Sequence, residues 1–425
     1  MSKSHRISKG DIRKLNITSL KSGESIDMSN ITKKIVLYED LFSHHMTCNI
    51  EVADGIGLRS DLPITGGERI GVDIGERAGA KSRELRGTFR VFRVSPPEKV
   101  NMDLEGYVLN LVTSEHMRDP ALSVTTSFKK PIFEIIQDVV KTHYTPLTQK
   151  KLVSVETTTG IHSFVPTGIS PSAFIYQLCR EAESKTYPSS IFVFYETFEG
   201  YVFATLEALY AKEAKYSYVY DMVSVNEGSK EGTKNEYQIL KMESMNNTDL
   251  LGADSYNTQT FHFDPLTKTF RAAGYDYNKD FKAEKKVNKV VPDKVLEKEF
   301  ASPRTSRYII TDAHRTDYDY VKKIDDSNVK RRRQDFMDRE RAVMQQYSNV
   351  RLMITIPGNS NLVVGNTIDI LIPSSDDSKK NRKLNDKFLA GKYLISAISH
   401  SIEANGEYVC FVECIRPGFE EDISS

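Results

Sequence analysis

The feature that most constrains this chain is a series of short segments in which apolar and polar residues alternate one for one. Ile70-Gly71-Val72-Asp73-Ile74 alternates cleanly, as do Thr88 to Val94 and Tyr107 to Val112. A period of two puts every second side chain on one face of a strand, so each segment has one face to bury and one to leave wet. Ile35-Val36-Leu37-Tyr38 and Cys48-Asn49-Ile50-Glu51-Val52 extend the series, and Gly66-Gly67, Gly87 and Pro96-Pro97 punctuate it. Five short strands at hairpin spacing predict a small antiparallel barrel or sandwich over residues 31–125.

The pattern then changes. Ser127 can cap a helix through Pro131 to His143, with Ile132, Ile135, Ile136 and Val139 on one face. Ser170-Pro171 starts another, with Phe174, Ile175, Leu178 and Cys179 apolar, and Ile191 to Tyr195 and Tyr201 to Leu206 flank a turn at Glu199-Gly200. These make an α+β unit over residues 126–210. Strands resume at Tyr216 to Val223 and Tyr237 to Met245. An inserted excursion fills 256–325, lysine-rich and low in apolar content from 276 to 326, and a helix follows from Asp326 to Tyr347. Val350 to Ile356, Thr367 to Ile372, Tyr393 to His400 and Tyr408 to Ile415 read as strands, broken by the polar loop 374–387. The expected fold class is therefore mainly β with α+β. The second β-domain is split into 211–255 and 326–418, between a polar N-terminal arm (1–30) and a tail (419–425). The arm carries Lys3, Arg6, Lys9, Arg13 and Lys14 and reads as a segment that orders on assembly.

Charge narrows the function. Lysines and arginines number 58 and aspartates and glutamates 58, so no bulk charge draws the chain to nucleic acid or to an anionic membrane. Met1 to Arg6 lacks the apolar core of a secretory signal, and no stretch reaches the length of a membrane span. Cys48, Cys179, Cys410 and Cys414 form no Cys-x-x-Cys and no disulfide framework, which fits assembly in a reducing cytoplasm.

Candidate chemistry is sparse. A glycosidase needs two carboxylates flanking the bond, held by a module that this pattern does not contain. His44, His45 and Cys48 lack the third or fourth converging ligand that zinc needs, and read as a loop-to-strand junction. His400 reads as a strand or interface residue, and Cys410 and Cys414, four apart on one strand, as core. Lys330-Arg331-Arg332-Arg333 invites a DNA reading, but Asp335, Asp338 and Glu340 follow, and Arg331 can pair with Asp335 one helical turn on. The expectation is a protein without catalytic, metal or cofactor residues, and not an enzyme.

The C-terminal third is the most specific part. Met344-Gln345-Gln346-Tyr347 runs into a strand, then Pro357-Gly358-Asn359-Ser360-Asn361-Leu362-Val363-Val364-Gly365-Asn366-Thr367-Ile368-Asp369-Ile370. Gly391-Lys392-Tyr393-Leu394-Ile395-Ser396-Ala397-Ile398-Ser399-His400 follows, and Asn405-Gly406 marks a hairpin turn. Gly358 and Gly365 are expected at positive φ in tight turns. These motifs resemble the central hub proteins of contractile-tailed (myovirus, T-even-like) phage baseplates, and the related hub part of type VI secretion spike proteins. Residues 237–277, and the join from Leu111-Val112-Thr113-Ser114-Glu115 to Ser127-Phe128-Lys129-Lys130-Pro131, resemble the same family.

The resemblance implies a homotrimer with two tube-like antiparallel β-barrel domains per chain, adapting a sixfold tail tube to a threefold central spike. It also implies partners: the spike protein, a tail tube protein or tube initiator, baseplate wedge proteins and a tape measure protein. Phage DNA would pass through without specific binding, and no membrane is involved. The expected location is the virion tail baseplate, assembled in the host cytoplasm. In a DNA conduit the inner wall should be neutral or acidic, because a duplex carries one charge per about 1.7 Å of axis. On Thr367 to Ile372, Ile368, Ile370 and Ile372 belong in the core, so Thr367 and Asp369 are expected to face the lumen or a neighbouring subunit. A tail-tube or distal-tail adaptor ring, or the hub of a related contractile injection system, is the alternative.

Overall fold

A computed structural model of the chain describes residues 8–62, 64–76, 83–101, 104–187, 191–220, 236–246, 257–264, 268–276, 305–310, 340, 343–344, 347, 350–372, 386 and 389–417. The first β unit contains β1 (Ser8–Thr18), β2 (Ser25–Asp27), β3 (Thr32–Asp40), β4 (Thr47–Asp54), β5 (Arg69–Glu76), β6 (Leu85–Val94), β7 (Glu98–Lys99) and β8 (Glu105–Thr113). The α+β unit contains β9 (Phe128–Lys130), β10 (Leu152–Val155), β11 (His162–Phe164), β12 (Phe192–Thr197) and β13 (Gly200–Thr205). Then come β14 (Tyr216–Val219), β15 (Glu236–Gln238) and β16 (Lys241–Asn246), followed by β17 (Asn257–Asp264), β18 (Thr269–Asp276) and β19 (Thr305–Ile310). The chain finishes with β20 (Val350–Pro357), β21 (Thr367–Leu371), β22 (Gly391–Glu403) and β23 (Glu407–Arg416).

Two closed circuits share one hairpin. β22 pairs with β23 along most of its length, turning at Gly406 with φ +83°. On its other edge, β22 pairs with β21 through Gly391–Leu394 and with β3 through Ala397–Glu403. The first circuit runs β22-β3-β4-β8-β6-β5-β1-β23 and closes at Ser8↔Tyr408 and Lys9↔Glu407. The second runs β22-β21-β14, then residues 236–246, then β20 and β23. It closes because β15 pairs with β14 while the next strand, β16, pairs with β20. Ile239 N–H to the Val219 carbonyl (2.9 Å) and Leu240 N–H to the Thr355 carbonyl (2.8 Å) carry the crossing. The chain is thus mainly β, with two barrels on a common spine and a small α+β unit. One apolar core runs through both barrels, including Leu37, Ile50, Ile354, Ile370, Ile398 and Val412.

The α+β unit has its own core, where Ile132, Ile135, Ile136 and Val139 meet Phe174, Ile175 and Leu178. Ser170 caps the second helix, Pro171–Glu181, accepting from the Ala173 N–H. Every residue of β12 and β13 is buried, because this hairpin lies between two cores. Phe192, Phe194, Tyr201 and Phe203 face the α+β core, while Val193, Tyr195, Val202 and Ala204 face the barrels. Strands covered on both sides read as continuous apolar runs.

Four expectations need correction. Residues 8–18 of the N-terminal arm are β1, an interior strand between β5 and β23; its buried Leu15 and Ile17 are masked in sequence by a polar outer face. The first β unit therefore reaches beyond 31–125. Ser127 caps no helix: Phe128–Lys130 pairs with β11, and the helix starts at Ile132 with Pro131 as its N-cap. Gly358 does not take positive φ, whereas Gly365 does, at +79°. Gly358 answers to sterics instead, since a Cβ there would lie 2.1 Å from Cγ of the Tyr408 ring. The excursion 256–325 contains a three-stranded sheet, β18-β17-β19. Of the expected helix Asp326–Tyr347, only 340, 343, 344 and 347 are described, all helical. Lys330 to Arg333, Asp335 and Asp338, most of loop 374–387 and the tail 419–425 lie outside the described residues.

Candidate functional site

The barrels present one continuous outer surface across their shared spine. Direct cross-strand neighbours run Thr47, Tyr38, Ser399, Phe411, Thr355 and Lys241, over β4, β3, β22, β23, β20 and β16. Three basic residues along these strands meet acids: Lys34 pairs with Glu403 at 3.9 Å, Arg351 with Glu413 at 3.7 Å, and Lys241 with Glu243. At Ser396 the spine carries a bulge, where the hydroxyl donates to Glu413 Oε1 (2.8 Å) and the carbonyl accepts from the Leu41 N–H (2.8 Å). The bulge lies where β22 passes from β21 to β3, and bulges bend strands at such transfers.

Ile368, Ile370 and Ile372 are buried in the core, as their alternation requires. Thr367, on the other face, is also buried, at 1% exposure, and its hydroxyl is occupied by the carbonyls of Lys212 (3.0 Å) and Glu213 (2.9 Å). It offers no atom to a channel. Asp369 is half-buried and lies directly opposite Lys392, whose carbonyl accepts from Tyr210 Oη at 3.0 Å.

A second polar centre joins the α+β unit to the first barrel, and sequence reasoning missed it. Glu196, at the end of β12, is buried and accepts from the Met46 N–H (3.0 Å) and from Thr113 Oγ1 (3.1 Å), both on the barrel side. Lys150 contributes its ammonium to the other oxygen, and His45 Nδ1 lies 3.5 Å away. Burial alone would raise the Glu196 carboxyl, but Lys150 and His45 hold it well below the usual carboxylate range. Beside it, burial and the Glu196 charge push Glu115 up, with Thr148 donating to it. Asp119 accepts from Tyr144 Oη (2.8 Å) and the Ser172 N–H (2.8 Å). Residues 113–119 thus clamp the α+β unit with acids. The available signal was a lone glutamate closing an apolar run in a strand buried on both faces.

The histidines and cysteines separate. His44 packs edge-on against Phe194 (5.5 Å), and burial lowers its pKa to about 4. His45 turns to Glu196, and Cys48 enters the barrel core. His400 is fully buried, its Nδ1 2.8 Å from Tyr408 Oη and 3.3 Å from Cys410 Sγ, and burial pulls its pKa to about 3. Burial also raises Glu39, in the same interior, to about 7 despite Arg83. Among the described residues no group of three His, Cys, Asp or Glu side chains is placed to hold a metal ion. All four cysteines are buried and free.

No protein-family model matches this sequence, and no curated protein matches it. Solved structures do. A tail protein from Neisseria meningitidis MC58 superposes with TM-score 0.53 at 8% identity, covering 96% of this chain and 97% of that one. A 43 kDa tail protein of prophage MuSo2 from Shewanella oneidensis gives 0.52 at 11% identity, covering 95% and 98%. An E. coli component of the type VI secretion system, similar in structure to the T4 bacteriophage tail proteins gp27 and gp5, gives 0.44 at 10% identity, covering 98% and 80%. The Neisseria and Shewanella structures show that this chain shares the fold of those two tail proteins.

Proposed function

We propose, from that fold, that this chain is a structural subunit of a phage tail, and specifically the trimeric central hub of a contractile baseplate. The observation that carries this reading is the pair of closed barrels on the shared hairpin β22–β23. Three such chains present six barrels around an axis, which can meet a sixfold tube on one side and a threefold spike on the other. Its partners are then itself, the spike, a tube protein or tube initiator, wedge proteins and a tape measure protein. Its place is the virion tail. The surface through Tyr38, Ser399 and Phe411 is assigned to the channel wall, with Asp369 at its margin. Basic residues paired with acids suit a wall that DNA must slide past.

The reading includes no reaction: purified protein should release nothing from peptidoglycan, peptide or nucleotide above blank, and cleavage lost on changing one carboxylate would overturn it. The deciding experiment is electron cryo-microscopy of intact tails. Six barrels from three copies, between tube and spike, are expected. A ring of six copies would favour the tail-tube or distal-tail adaptor instead, although an α+β unit clamped through Glu196 suits the hub better.

A further inference from the structure

On the first barrel, three arginines gather without an acid among them. Arg69 on β5 lies directly across from Arg90 on β6, and Arg118 ends the short helix Ser114–Arg118 beside them. Partial burial, then the charges of Arg69 and Arg118, disfavour the Arg90 cation. Arg90 is held by neutral acceptors, its Nε donating to Ser114 Oγ (3.3 Å) and its Nη1 to the Gly67 carbonyl (2.9 Å). The carboxylates near in sequence are committed elsewhere. Glu68 takes the Thr65 and Gly66 amides (2.8 and 3.0 Å), Glu115 takes Thr148, and Asp119 takes Tyr144 and Ser172. Among the described residues, none of the three arginines has a carboxylate partner.

Apolar side chains interleave with these cations. Leu20 is 56% exposed, Met117 36% and Phe92 60%. A Cβ on Gly67 would meet Leu20 Cδ1 at 3.0 Å and Met117 Cε at 3.5 Å, so the two side chains close over that glycine. The Phe92 ring lies 6.3 Å from that of His116, next in sequence to Met117. The patch therefore combines like charge with exposed apolar surface, a combination that marks an interaction site for an acidic, partly apolar segment.

We propose that this patch docks Phe419-Glu420-Glu421-Asp422-Ile423 of a second copy of the chain. That segment sets three consecutive carboxylates between two apolar side chains, matching the three guanidiniums and the Leu20, Met117 and Phe92 surface. Its own chain is badly placed to supply it. Arg90, Val112, Thr47, Tyr38, Ser399 and Phe411 form one cross-strand row, so the patch lies five strand spacings, about 24 Å, from β23. Arg416 lies a further five residues, about 17 Å, along β23. Asp422 is six residues past Arg416 and reaches about 20 Å when fully extended, against roughly 29 Å over the surface. Nucleic acid could take the guanidiniums but would leave Leu20 and Met117 without apolar contact. The docking presupposes that copies of the chain meet, as in the ring proposed above, but the ring does not require it.

The test uses the full chain with Glu420, Glu421 and Asp422 changed to Lys, so that no intact tail competes. A fluorescent peptide of residues 417–425 is titrated into it by anisotropy. Saturable binding that weakens at least about tenfold on adding Arg69→Glu and Arg118→Glu, and that fades with added salt, is expected. Both arginines are exposed, so these changes leave the core untouched. No saturable binding, or binding indifferent to the arginines, overturns the proposal. So does a labelled DNA duplex that binds with the same arginine dependence while the peptide does not. In the unaltered chain, peptide binding should be present when dilute and fall as chain concentration rises. Its absence at every concentration would place the segment on its own chain and also overturn the proposal. Tail micrographs report on the ring independently of all these outcomes.

Discussion

Replacing Glu196 by Gln tests whether the polar junction holds the α+β unit in place. The substitution keeps an acceptor for the Met46 N–H and the Thr113 hydroxyl but leaves the Lys150 ammonium, with a side chain only 16% exposed, beside a neutral group. Removing one partner of a buried ion pair costs about 3–5 kcal/mol. The retained acceptor and the slight exposure of Lys150 place this case near the lower end, about 3 kcal/mol. Lys150→Met should cost a similar amount, since it strands a buried carboxylate. The double variant should cost less than the two singles together by about 2–3 kcal/mol, because neither stranded charge remains. Urea unfolding is the assay, followed by far-ultraviolet circular dichroism and by tyrosine emission, which no tryptophan obscures in this chain. The dependence on pH has a fixed sign. A carboxyl held below its unfolded value of 4.5 stabilises fully above that pH and loses the contribution as pH falls toward the folded value. Parent and Glu196→Gln should therefore converge in acid. Single variants costing under about 0.5 kcal/mol, with additive effects, would refute the reasoning.

Gly358→Ala should destabilise by about 1–3 kcal/mol, read as a lower urea midpoint, because the new methyl meets the buried Tyr408 ring. Glu39→Gln should remove a loss of stability that the parent suffers between pH 4.5 and about 7, since burial raises this carboxyl and its ionisation disfavours the fold. The variant should exceed the parent by up to roughly 3 kcal/mol above pH 7, and equal stability there would contradict the assignment. His400, with its pKa lowered to about 3, should make the fold progressively less stable from pH 6.5 downward, and His400→Gln should flatten that slope in a series of melts. Asp369→Lys sets a second cation directly opposite Lys392, so it should cost about 0.2–1 kcal/mol of stability while slowing DNA release from particles carrying it; an unchanged ejection rate would remove Asp369 from the channel margin.

Strands with one wet face were plain in the sequence. Val350 to Ile356 alternates residue by residue, and its burial follows the same rhythm. The amphipathic helix after Ser170 was equally legible, cap included. β1 was not, because Lys9, Asp11, Arg13, Lys14 and Asn16 outnumber the side chains it buries. Nor was the sharing of β22 and β23: Tyr393 to His400 reads as one strand of one domain, and nothing in it marks the residue where its partner changes from β21 to β3. The candidate surface divided in the same way. The isoleucine face beside Thr367 and Asp369 was legible, but Thr367 proved buried because segment 212–213 covers it, a tertiary fact with no local signature. Glu196 gave only the weak signal of a charge within an apolar hairpin.

The shared hairpin also sets a timetable for synthesis. The first barrel's own strands are complete at Thr113, yet its circuit closes only with β22 and β23, which begin at Gly391. At about 5–20 residues per second, the ribosome needs on the order of half a minute to cross that interval. Throughout it, β1 and β3 lack the strands that complete the circuit, and open strand edges invite pairing with other chains. Late closure of this kind gives a chain slow folding and a dependence on low nascent-chain concentration or chaperone cover. Shortening the chain from its C-terminal end into β23 should open both barrels together, not the second alone.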